Sequence, residues 1–436
     1  MSGPTAPARP TWWTTFRSFD RPSKVLMVNQ FTINLGFYML VPYLAAYLGG
    51  TLGLAAWLVG FVLGVRNFSQ QGMFLVGGTL ADRLGYKKLI VAGCLLRTGG
   101  FALLATVESV PGILVAAAAT GFAGALFNPA VRAYLAADAG ERRVEAFAVF
   151  NTFYQAGILL GPLVGAVLVS VDFRVAAWVA TGVFAVLTVA QLLALPADPV
   201  HDGQRRASVL ENWASVMSNR RFLGFSAAMI GSYVLSFQVY LILPMMAQRW
   251  SSSPRLASII TSGVFVVTGI VAIAGQMGVT AWAARRFGAT RALVVGMVVM
   301  GCAFLPLLAP AFGGGTAVLA GALTLTAVGL AIATIMIFPF EMDTIVGLAG
   351  DKLVATHYGM YNTIVGVGIL VGNISTGALF GWAVGHGVPA VIPVVLAAVG
   401  LVTAALLARW RRGETRVGPA EEERESRDGA ARSFAR

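Results

Sequence analysis

The sequence predicts an all-α membrane protein, with 12 transmembrane helices in two pseudo-symmetric six-helix bundles. Hydrophobic residues make up 57% of the 436 residues and charged residues only 11%, whereas a soluble domain carries roughly 25% charged residues. The mean hydropathy is +0.77. A soluble core cannot bury so much apolar surface, so the surrounding solvent is lipid. An internal repeat then divides the apolar runs into two halves.

The apolar runs predict helices rather than strands of a barrel. A spanning helix needs about 20 apolar residues, and lipid obliges the backbone to satisfy its own hydrogen bonds. The runs also lack the alternating pattern of a membrane barrel. We number them spans 1 to 12, and they cover residues 25–48, 54–77, 89–107, 111–136, 145–170, 175–195, 221–247, 257–280, 291–309, 315–345, 358–381 and 387–408.

The distribution of basic residues predicts the orientation in the membrane. The net charge is +12. If both termini are cytoplasmic, the outer loops hold only Arg174, Arg249 and Arg255, while the inner loops and tails hold most of the remaining Lys and Arg. This asymmetry follows the positive-inside rule. Membrane topology therefore explains the net charge, and we expect no nucleic acid partner.

Five regions follow from these spans. Residues 1–24 form a cytoplasmic N-terminal segment, 25–195 the N-terminal bundle, 196–220 a cytoplasmic linker, 221–408 the C-terminal bundle and 409–436 a cytoplasmic tail. Trp12 and Trp13 stand near Arg17 and Arg21, which is typical either of a short helix on the inner leaflet or of a disordered segment with an aromatic anchor. The charged C-terminal tail predicts disorder.

The second half repeats the first. A triplet in span 5 recurs in span 11 with the same spacing, and two further matches keep the same order along the chain. The matches are Asn151, Gly157 and Gly161 with Asn362, Gly368 and Gly372, Pro129 with Pro339, and Arg83 and Gly85 with Arg286 and Gly288. Repeated halves place a binding site at their interface near the bilayer midplane and favour alternating access by rocking.

A charged turn at residues 78–88 joins spans 2 and 3, where it can hold two helix ends together and let them separate. With two six-helix halves, this turn resembles the signature of the major facilitator superfamily. The residues that carry the resemblance are Gly78, Leu80, Asp82, Arg83, Gly85, Lys87 and Lys88, and Tyr86 departs from it. The resemblance implies the major facilitator fold and a gating role for Gly78, Asp82, Arg83, Gly85, Lys87 and Lys88.

The predicted gate has an electrostatic basis. The N-terminal end of span 11 carries partial positive charge, and Asp82 can rest against it when the inner side is closed. Arg83, Lys87 and Lys88 can then pair with acids such as Asp138 or Glu141. The basic residues also serve membrane topology. The corresponding turn of the second half has Arg285 in place of the acid, so this latch is one-sided.

Span 5 carries a second motif, Gly157, Gly161, Pro162 and Gly165. Small residues four apart let helices approach closely, and proline removes a backbone donor. In the superfamily this pattern resembles the antiporter motif of drug:proton exporters. Helix packing alone is the other interpretation.

A narrower resemblance is to the MdtH-type bacterial multidrug resistance proteins. It is carried by residues 63–72 in span 2, 97–101 in span 3, 127–129 in span 4, and 237–240 with 243–244 in span 7. It implies a secondary active transporter of the bacterial inner membrane that exports hydrophobic or zwitterionic drugs or small metabolites in exchange for protons, and so confers antibiotic resistance.

Three departures from the family pattern concern coupling and gating. The basic residue common on span 4 of proton-coupled exporters is missing, and Ala117 or Thr120 occupies its place. Span 1 has Asn29 and Asn34 where several relatives place an acid. The third departure is Arg285 in the second-half turn.

Charged residues inside spans are functional candidates, because an unpaired charge in lipid costs several kcal/mol. Glu341 and Asp343 in span 10 are the candidates for proton coupling, since burial in an apolar cleft lets a carboxylate bind a proton near neutral pH. Pairing with gate arginines such as Arg132 is the alternative. Arg66 either contacts the substrate or is structural, and Arg97 is expected to be structural because span 3 lies outside the cavity in this family.

The expected cavity is lined by spans 1, 2, 4, 5, 7, 8, 10 and 11. Its polar candidates are Asn34, Tyr38, Arg66, Gln70, Asn128, Asn151, Tyr154, Gln238, Tyr240, Tyr361 and Asn362, and its aromatic candidates are Phe31, Phe127, Phe237 and Phe338. The three histidines are scattered and predict no metal site. No nucleotide-binding loop or catalytic signature occurs, so we expect no enzyme and no cofactor, with a proton gradient as the energy source and a monomer as the functional unit.

Two other functions remain open at this stage. A solute importer on the same fold, such as a nitrate-type importer, would place paired arginines on spans 2 and 8; Arg66 meets the first condition, but span 8 has no charged residue. The second is a lipid or lysolipid transporter, whose pocket would also be apolar, whereas the turn at residues 78–88 argues against a receptor that does not transport.

Overall fold

The computed structural model describes residues 16–139, 143–195, 209–312, 314–349 and 354–433. Within these ranges, eleven helices are long and apolar enough to cross a membrane. The remaining predicted span, span 2, is broken at Gly72 and Met73 into helices of 16 and 11 residues, each shorter than a full crossing. The fold class is therefore confirmed as an all-α membrane protein.

The N-terminal half contains spans 1 to 6. Span 1 comprises Arg21–Tyr38, Val41–Ala46 and a π-helical turn Tyr47–Thr51; span 2 comprises Ala56–Gln71 and Phe74–Leu84; spans 3 to 6 are Tyr86–Thr106, Val110–Ala139, Arg143–Val169 and Phe173–Ala194. Trp12 and Trp13 lie outside the described residues.

The C-terminal half contains spans 7 to 12, preceded by a short helix, Val209–Ser218, in the predicted linker. Span 7 comprises Arg220–Ser236, a 3-10 turn Phe237–Val239 and Ile242–Trp250; span 8 is Pro254–Phe287; span 9 is Ala289–Cys302, followed by the 3-10 segment Leu305–Phe312; spans 10 to 12 are Gly315–Ala349, Val354–Gly385 and Val391–Ser433.

The last helix continues where the sequence predicts a disordered tail. Its backbone is helical to Ser433, well past the predicted end of span 12. The tail sequence is rich in Ala, Glu and Arg, which are among the strongest helix formers, and this propensity opposes the disorder expected from its charge.

Local sequence signals define several helix starts. Asp172 accepts a hydrogen bond from the Arg174 amide at 2.7 Å and begins span 6. Asn219 accepts from the Phe222 amide at 3.0 Å and begins span 7. Each side chain satisfies a backbone donor that the first turn of a helix leaves unpaired.

The two halves use the same packing. In the first half, a Cβ placed on Gly157 or Gly161 would lie 2.5 Å or 2.6 Å from span 1 atoms. In the second half, a Cβ on Gly368 or Gly372 would lie 2.3 Å or 2.6 Å from side chains of span 7. Spans 5 and 11 therefore approach spans 1 and 7 through equivalent glycine seams, as small residues permit.

The two interhelical turns match as well. Gly85 has φ +97° and Gly288 has φ +70°, a conformation that favours glycine because it lacks a Cβ. Each glycine directly joins two helices, span 2 to span 3 and span 8 to span 9. The sequence match of these turns thus corresponds to a shared backbone geometry.

Candidate functional site

A cavity of about 580 Å³ lies between the two halves. Spans 1, 2, 4 and 5 form one side of its wall, and spans 7, 10 and 11 form the other. It extends from Tyr38 and Tyr240, in the middle of their spans, to Gly78 and Arg132, near the predicted cytoplasmic ends of spans 2 and 4. Its position agrees with the midplane site expected for repeated halves.

Most of the predicted polar candidates lie on this wall. The members that line it are Tyr38, Arg66, Gln70, Asn128, Tyr154, Tyr240 and Asn362. The predicted aromatics Phe237 and Phe338 also line it, together with Phe37 and Phe74. The wall therefore combines hydrogen-bonding groups with flat apolar surfaces, which is typical of small-molecule sites.

Four predicted candidates lie elsewhere. Asn34 is buried and donates to the Tyr154 carbonyl at 3.0 Å, so it joins spans 1 and 5. Gln238 is fully buried and donates to the Val234 carbonyl at 2.6 Å. Asn151 is exposed and does not line the cavity, and Tyr361 is fully buried behind the wall.

Arg66 lies on the cavity wall and is only 4% exposed. Its guanidinium donates to the Asn67 side-chain oxygen at 2.6 Å and to the Gln70 side-chain oxygen at 3.0 Å. Its Cζ lies 4.4 Å from the centre of the Phe37 ring. Neutral amides and an aromatic face thus hold the group, and its Nε has no hydrogen-bond partner among the described residues.

Arg97 lies behind Arg66 and does not line the cavity. Its Cζ lies 5.0 Å from the Phe37 ring centre, 4.8 Å from that of Phe127 and 5.4 Å from that of Phe184. Its guanidinium donates to the Thr120 carbonyl at 3.2 Å. Cation–π contacts of this kind stabilise a desolvated guanidinium, so the surroundings of Arg97 match the structural role expected from its place in span 3.

Glu341 is 2% exposed and lies inside the C-terminal half. Its Oε1 accepts two hydrogen bonds, from the Tyr233 hydroxyl at 2.9 Å and from the Tyr361 hydroxyl at 2.6 Å. Tyr233 also lines the cavity, so one tyrosine separates the acid from the cavity. No arginine forms an ion pair with Glu341 in the described part of the chain, so the predicted alternative of a pairing with Arg132 is not observed.

The other acid of span 10 has a different environment. Asp343 is exposed and does not line the cavity, whereas Met342 does. Residues two apart on a helix point to different faces, which explains why neighbouring acids differ so strongly in burial. The sequence alone could not rank them.

The predicted outer end of the bundle is closed by contacts between the halves. The Tyr43 hydroxyl of span 1 donates to the Pro162 carbonyl of span 5 at 2.5 Å and is hydrogen-bonded to the Ser262 hydroxyl of span 8. Spans 2 and 11 also meet closely there, because a Cβ on Gly60 would lie 2.1 Å from the Asn373 carbonyl oxygen. The cavity and this closure lie toward opposite ends of the bundle.

The residues of the span 5 motif lie in the contact with span 1. A Cβ on Gly165 would lie 2.2 Å from the Met39 carbonyl oxygen, and Pro162 supplies its carbonyl to Tyr43. The motif therefore has two local effects, close packing against span 1 and an acceptor for the outer closure.

The gating turn is only partly described. Gly78 lines the cavity, and Lys87 Nζ donates to the Leu195 carbonyl at the end of span 6 at 2.5 Å, while Lys88 is exposed. Asp138, a predicted partner of the basic residues, accepts from the Ser23 hydroxyl at 2.5 Å. The side chains of Asp82 and Arg83, and Glu141 as a whole, lie outside the described part.

Comparisons with known proteins agree with this architecture. The sequence profile of the Major Facilitator Superfamily matches residues 26–373. An MFS-type transporter of Mycobacterium tuberculosis (strain H37Rv), described as uncharacterized, is 58% identical over 396 residues, which cover 90% of this chain and 94% of the relative. The multidrug resistance protein MdtH of Photorhabdus laumondii is 27% identical over 380 residues, or 87% of this chain and 91% of that protein. The resemblance inferred from the motifs is thereby confirmed.

A solved structure shows the same fold. The nucleoside transporter NupG matches with a TM-score of 0.75 at 15% identity, covering 90% of this chain and 99% of that chain. At this identity the likeness concerns the fold alone.

Proposed function

The chain belongs to the Major Facilitator Superfamily of membrane transporters, and we propose that it is a proton-coupled exporter that moves hydrophobic or zwitterionic small molecules by alternating access. The proposal places the protein in the bacterial inner membrane, as a monomer with both termini in the cytoplasm. It requires no cofactor, since the proton gradient supplies the energy.

One observation carries the proposal: Glu341 is buried, and Tyr233 lies between it and the cavity. A coupling group must exchange its proton with one side of the membrane at a time. Burial disfavours the charged carboxylate, while two tyrosine hydroxyls stabilise it through hydrogen bonds. Tyr233 donates to this acid and also lines the cavity, so it is placed to pass a proton between the two.

Alternating access is supported by the closure at the predicted outer end. The cavity reaches the predicted cytoplasmic side, while Tyr43, Ser262 and the seam between spans 2 and 11 close the other side. This arrangement corresponds to an inward-facing state, in which an exporter takes up its substrate. The names of the MdtH relatives support drugs as the substrate class.

Transport into proteoliposomes with an imposed proton gradient tests the proposal. We expect gradient-driven accumulation of a drug by the wild type and its loss in Glu341→Gln, with ligand binding and downhill exchange retained. Asp343→Asn is the matched control, because this exposed acid lies two residues away and outside the cavity wall. If Glu341→Gln accumulated the drug against its gradient as well as the wild type does, Glu341 would not be the coupling site.

An uptake assay addresses the direction of transport. An importer would accumulate its substrate on the cytoplasmic side in cells, whereas the proposed exporter would lower the cellular content in proportion to its expression. Lysolipid binding in place of planar drugs would instead favour the lipid transporter.

A further inference from the structure

The cavity wall has an unbalanced charge. Among its described residues, the only ionised side chains are Arg66 and Arg132, and none is acidic. Glu341 stands behind Tyr233 and does not line the wall. A cavity lined by cations alone attracts anions, and low-dielectric walls strengthen that attraction.

Arg66 is the stronger of the two cationic sites. It is 4% exposed, and its two hydrogen-bond acceptors, Asn67 and Gln70, are neutral. No carboxylate pairs with it within the described ranges. A guanidinium has five N–H donors, so donors remain for a ligand. A buried charge without a counterion is costly. A ligand that binds in the cavity must therefore supply acceptors for the free N–H groups of Arg66.

The position of Arg97 strengthens the need for an anion beside Arg66. Arg66 and Arg97 both lie against the Phe37 ring, 4.4 Å and 5.0 Å from its centre, and neither forms an ion pair within the described ranges. Two buried like charges that contact the same ring repel each other. An oxyanion at Arg66 would offset both, while Asn67, Gln70 and Phe37 keep the guanidinium fork fixed for two parallel hydrogen bonds.

The rest of the wall suits an apolar body attached to that anion. Tyr38 and Tyr240 face each other across the two halves, with their hydroxyl oxygens 3.5 Å apart and their ring centres 6.5 Å apart. Phe237 and Phe338 extend this surface. Aromatic faces bury flat ligands well.

We propose that the substrate is an amphiphilic organic anion, whose carboxylate or other oxyanion binds Arg66 while its apolar or aromatic body lies against Tyr38, Tyr240 and Phe237. This inference rests on the proposed function and deepens it by naming the substrate class. In a zwitterionic substrate, the anionic end is the one bound at Arg66.

Equilibrium binding to the purified full-length protein in nanodiscs tests the inference, without any proton gradient. Three probes share one ring system: 2-naphthoate, the neutral 2-naphthamide and the cationic naphthalen-2-ylmethylammonium. We expect 2-naphthoate to bind the wild type at least about tenfold more tightly than the amide, as one charge-assisted pair provides, and the cation to bind more weakly still. A carboxylate that binds no better than the amide, or does not bind, overturns the inference.

Variants locate the site. Arg66→Gln is expected to lower the affinity for 2-naphthoate about tenfold and leave that for the amide nearly unchanged, and Arg66→Lys to fall between the two. Arg249→Gln, which removes an exposed arginine at the outer end of span 7, is the control with unchanged binding. An Arg66→Gln protein that keeps the preference for the carboxylate overturns the assignment to Arg66. If Arg66→Gln does not fold, the assignment to Arg66 is tested by the affinity of Arg66→Lys for 2-naphthoate, together with the three probes on the wild type.

The two proposals fail in different experiments. If the wild type binds 2-naphthoate no better than 2-naphthamide, the anion site is refuted, but the proposal of gradient-driven export is unaffected. Failure of gradient-driven transport refutes proton coupling, while the preference at equilibrium remains.

Discussion

The hydroxyl of Tyr43 is the best-defined link across the closed outer end, and its removal is a sharp test of the closure. It donates to the Pro162 carbonyl within the N-terminal half and is hydrogen-bonded to Ser262 in the C-terminal half. Tyr43→Phe deletes both bonds and keeps the ring. Of these two bonds, only the one to Ser262 crosses between the halves, so only its loss should shift the balance between a closed and an open outer end.

The expected shift in the ratio of open to closed protein follows from the loss of one hydrogen bond between the halves. A single hydrogen bond contributes about 0.5–1.5 kcal/mol net, and the bond between Tyr43 and Pro162 contributes equally to both states. The ratio of outward-open to outward-closed protein should therefore rise roughly fivefold, within limits of about twofold and thirteenfold. In the variant the Ser262 hydroxyl can donate its one proton to the Ser258 carbonyl at 2.7 Å or, less favourably, to the Pro162 carbonyl at 3.4 Å, so no buried hydroxyl is left unpaired and the fold should remain intact.

Distance measurements between two spin labels can follow this ratio. Thr51 and Arg255 are exposed at the outer ends of spans 1 and 8, and cysteines there report the opening after Cys94 and Cys302 have been replaced. Tyr47→Phe is the matched control, because Tyr47 stacks on Phe173 at 4.0 Å within the N-terminal half. An unchanged distance distribution in Tyr43→Phe, or an equal change in Tyr47→Phe, would refute the assignment of this hydroxyl to the closure.

Three further predictions concern stability, measured as thermal unfolding in detergent. Gly165→Ala should destabilise by about 1–3 kcal/mol, since its Cβ would meet the Met39 carbonyl oxygen at 2.2 Å, while Gly182→Ala, which meets nothing within 4 Å, should change little. Gly85→Ala should cost about 1–3 kcal/mol because of its φ of +97°; an unchanged melting temperature would contradict that strain. Glu341→Ala should cost about 2–6 kcal/mol, since two tyrosine hydroxyls lose their acceptor, whereas Glu341→Gln keeps a carbonyl oxygen and should cost less; equal losses would refute the proposed hydrogen bonds.

Local patterns in the sequence were sufficient to predict the spans, the repeat and most of the residues of the cavity wall. Hydropathy locates a helix in lipid because the backbone has no other way to satisfy its hydrogen bonds. Seven polar wall residues, among them Arg66 and Tyr154, follow from the spans expected to face the interface. The turn at Gly85 follows from its sequence match with the turn at Gly288.

Two of the predicted cavity residues lie off the wall for different geometric reasons. Gln238 lies in the 3-10 turn of span 7, which has fewer residues per turn than an α-helix, so the side chains that follow are rotated relative to the regular pattern. Tyr361 points toward Glu341 rather than toward the cavity. A contact between residues of spans 10 and 11 depends on how those helices rotate against each other, which a single sequence does not specify.

The residues that were missed belong to contacts between distant segments. Tyr43, Tyr233 and Ser262 carry no motif of their own, and their roles arise only when spans 1, 5, 7, 8 and 10 are packed. For the wall itself, one further signal was available: Tyr38 and Pro42 recur with the same spacing as Tyr240 and Pro244. That match would have identified the facing tyrosines as equivalent positions of the repeat.

The repeat preserves the scaffold but not the charge. Glycine seams, helix-interior prolines and the facing tyrosines Tyr38 and Tyr240 occur in both halves. Extending the match of Pro129 with Pro339 pairs Glu341 with Val131, and extending the match of Gly85 with Gly288 pairs Arg66 with Gly269. Arg66 and Glu341 therefore each stand where the other half has an apolar residue. On the proposals above, anion and proton bind in opposite halves, so a rocking motion that separates the halves also changes the electrostatic interaction between them. The two sites can therefore influence each other without direct contact, because the interaction between their charges acts across the interface.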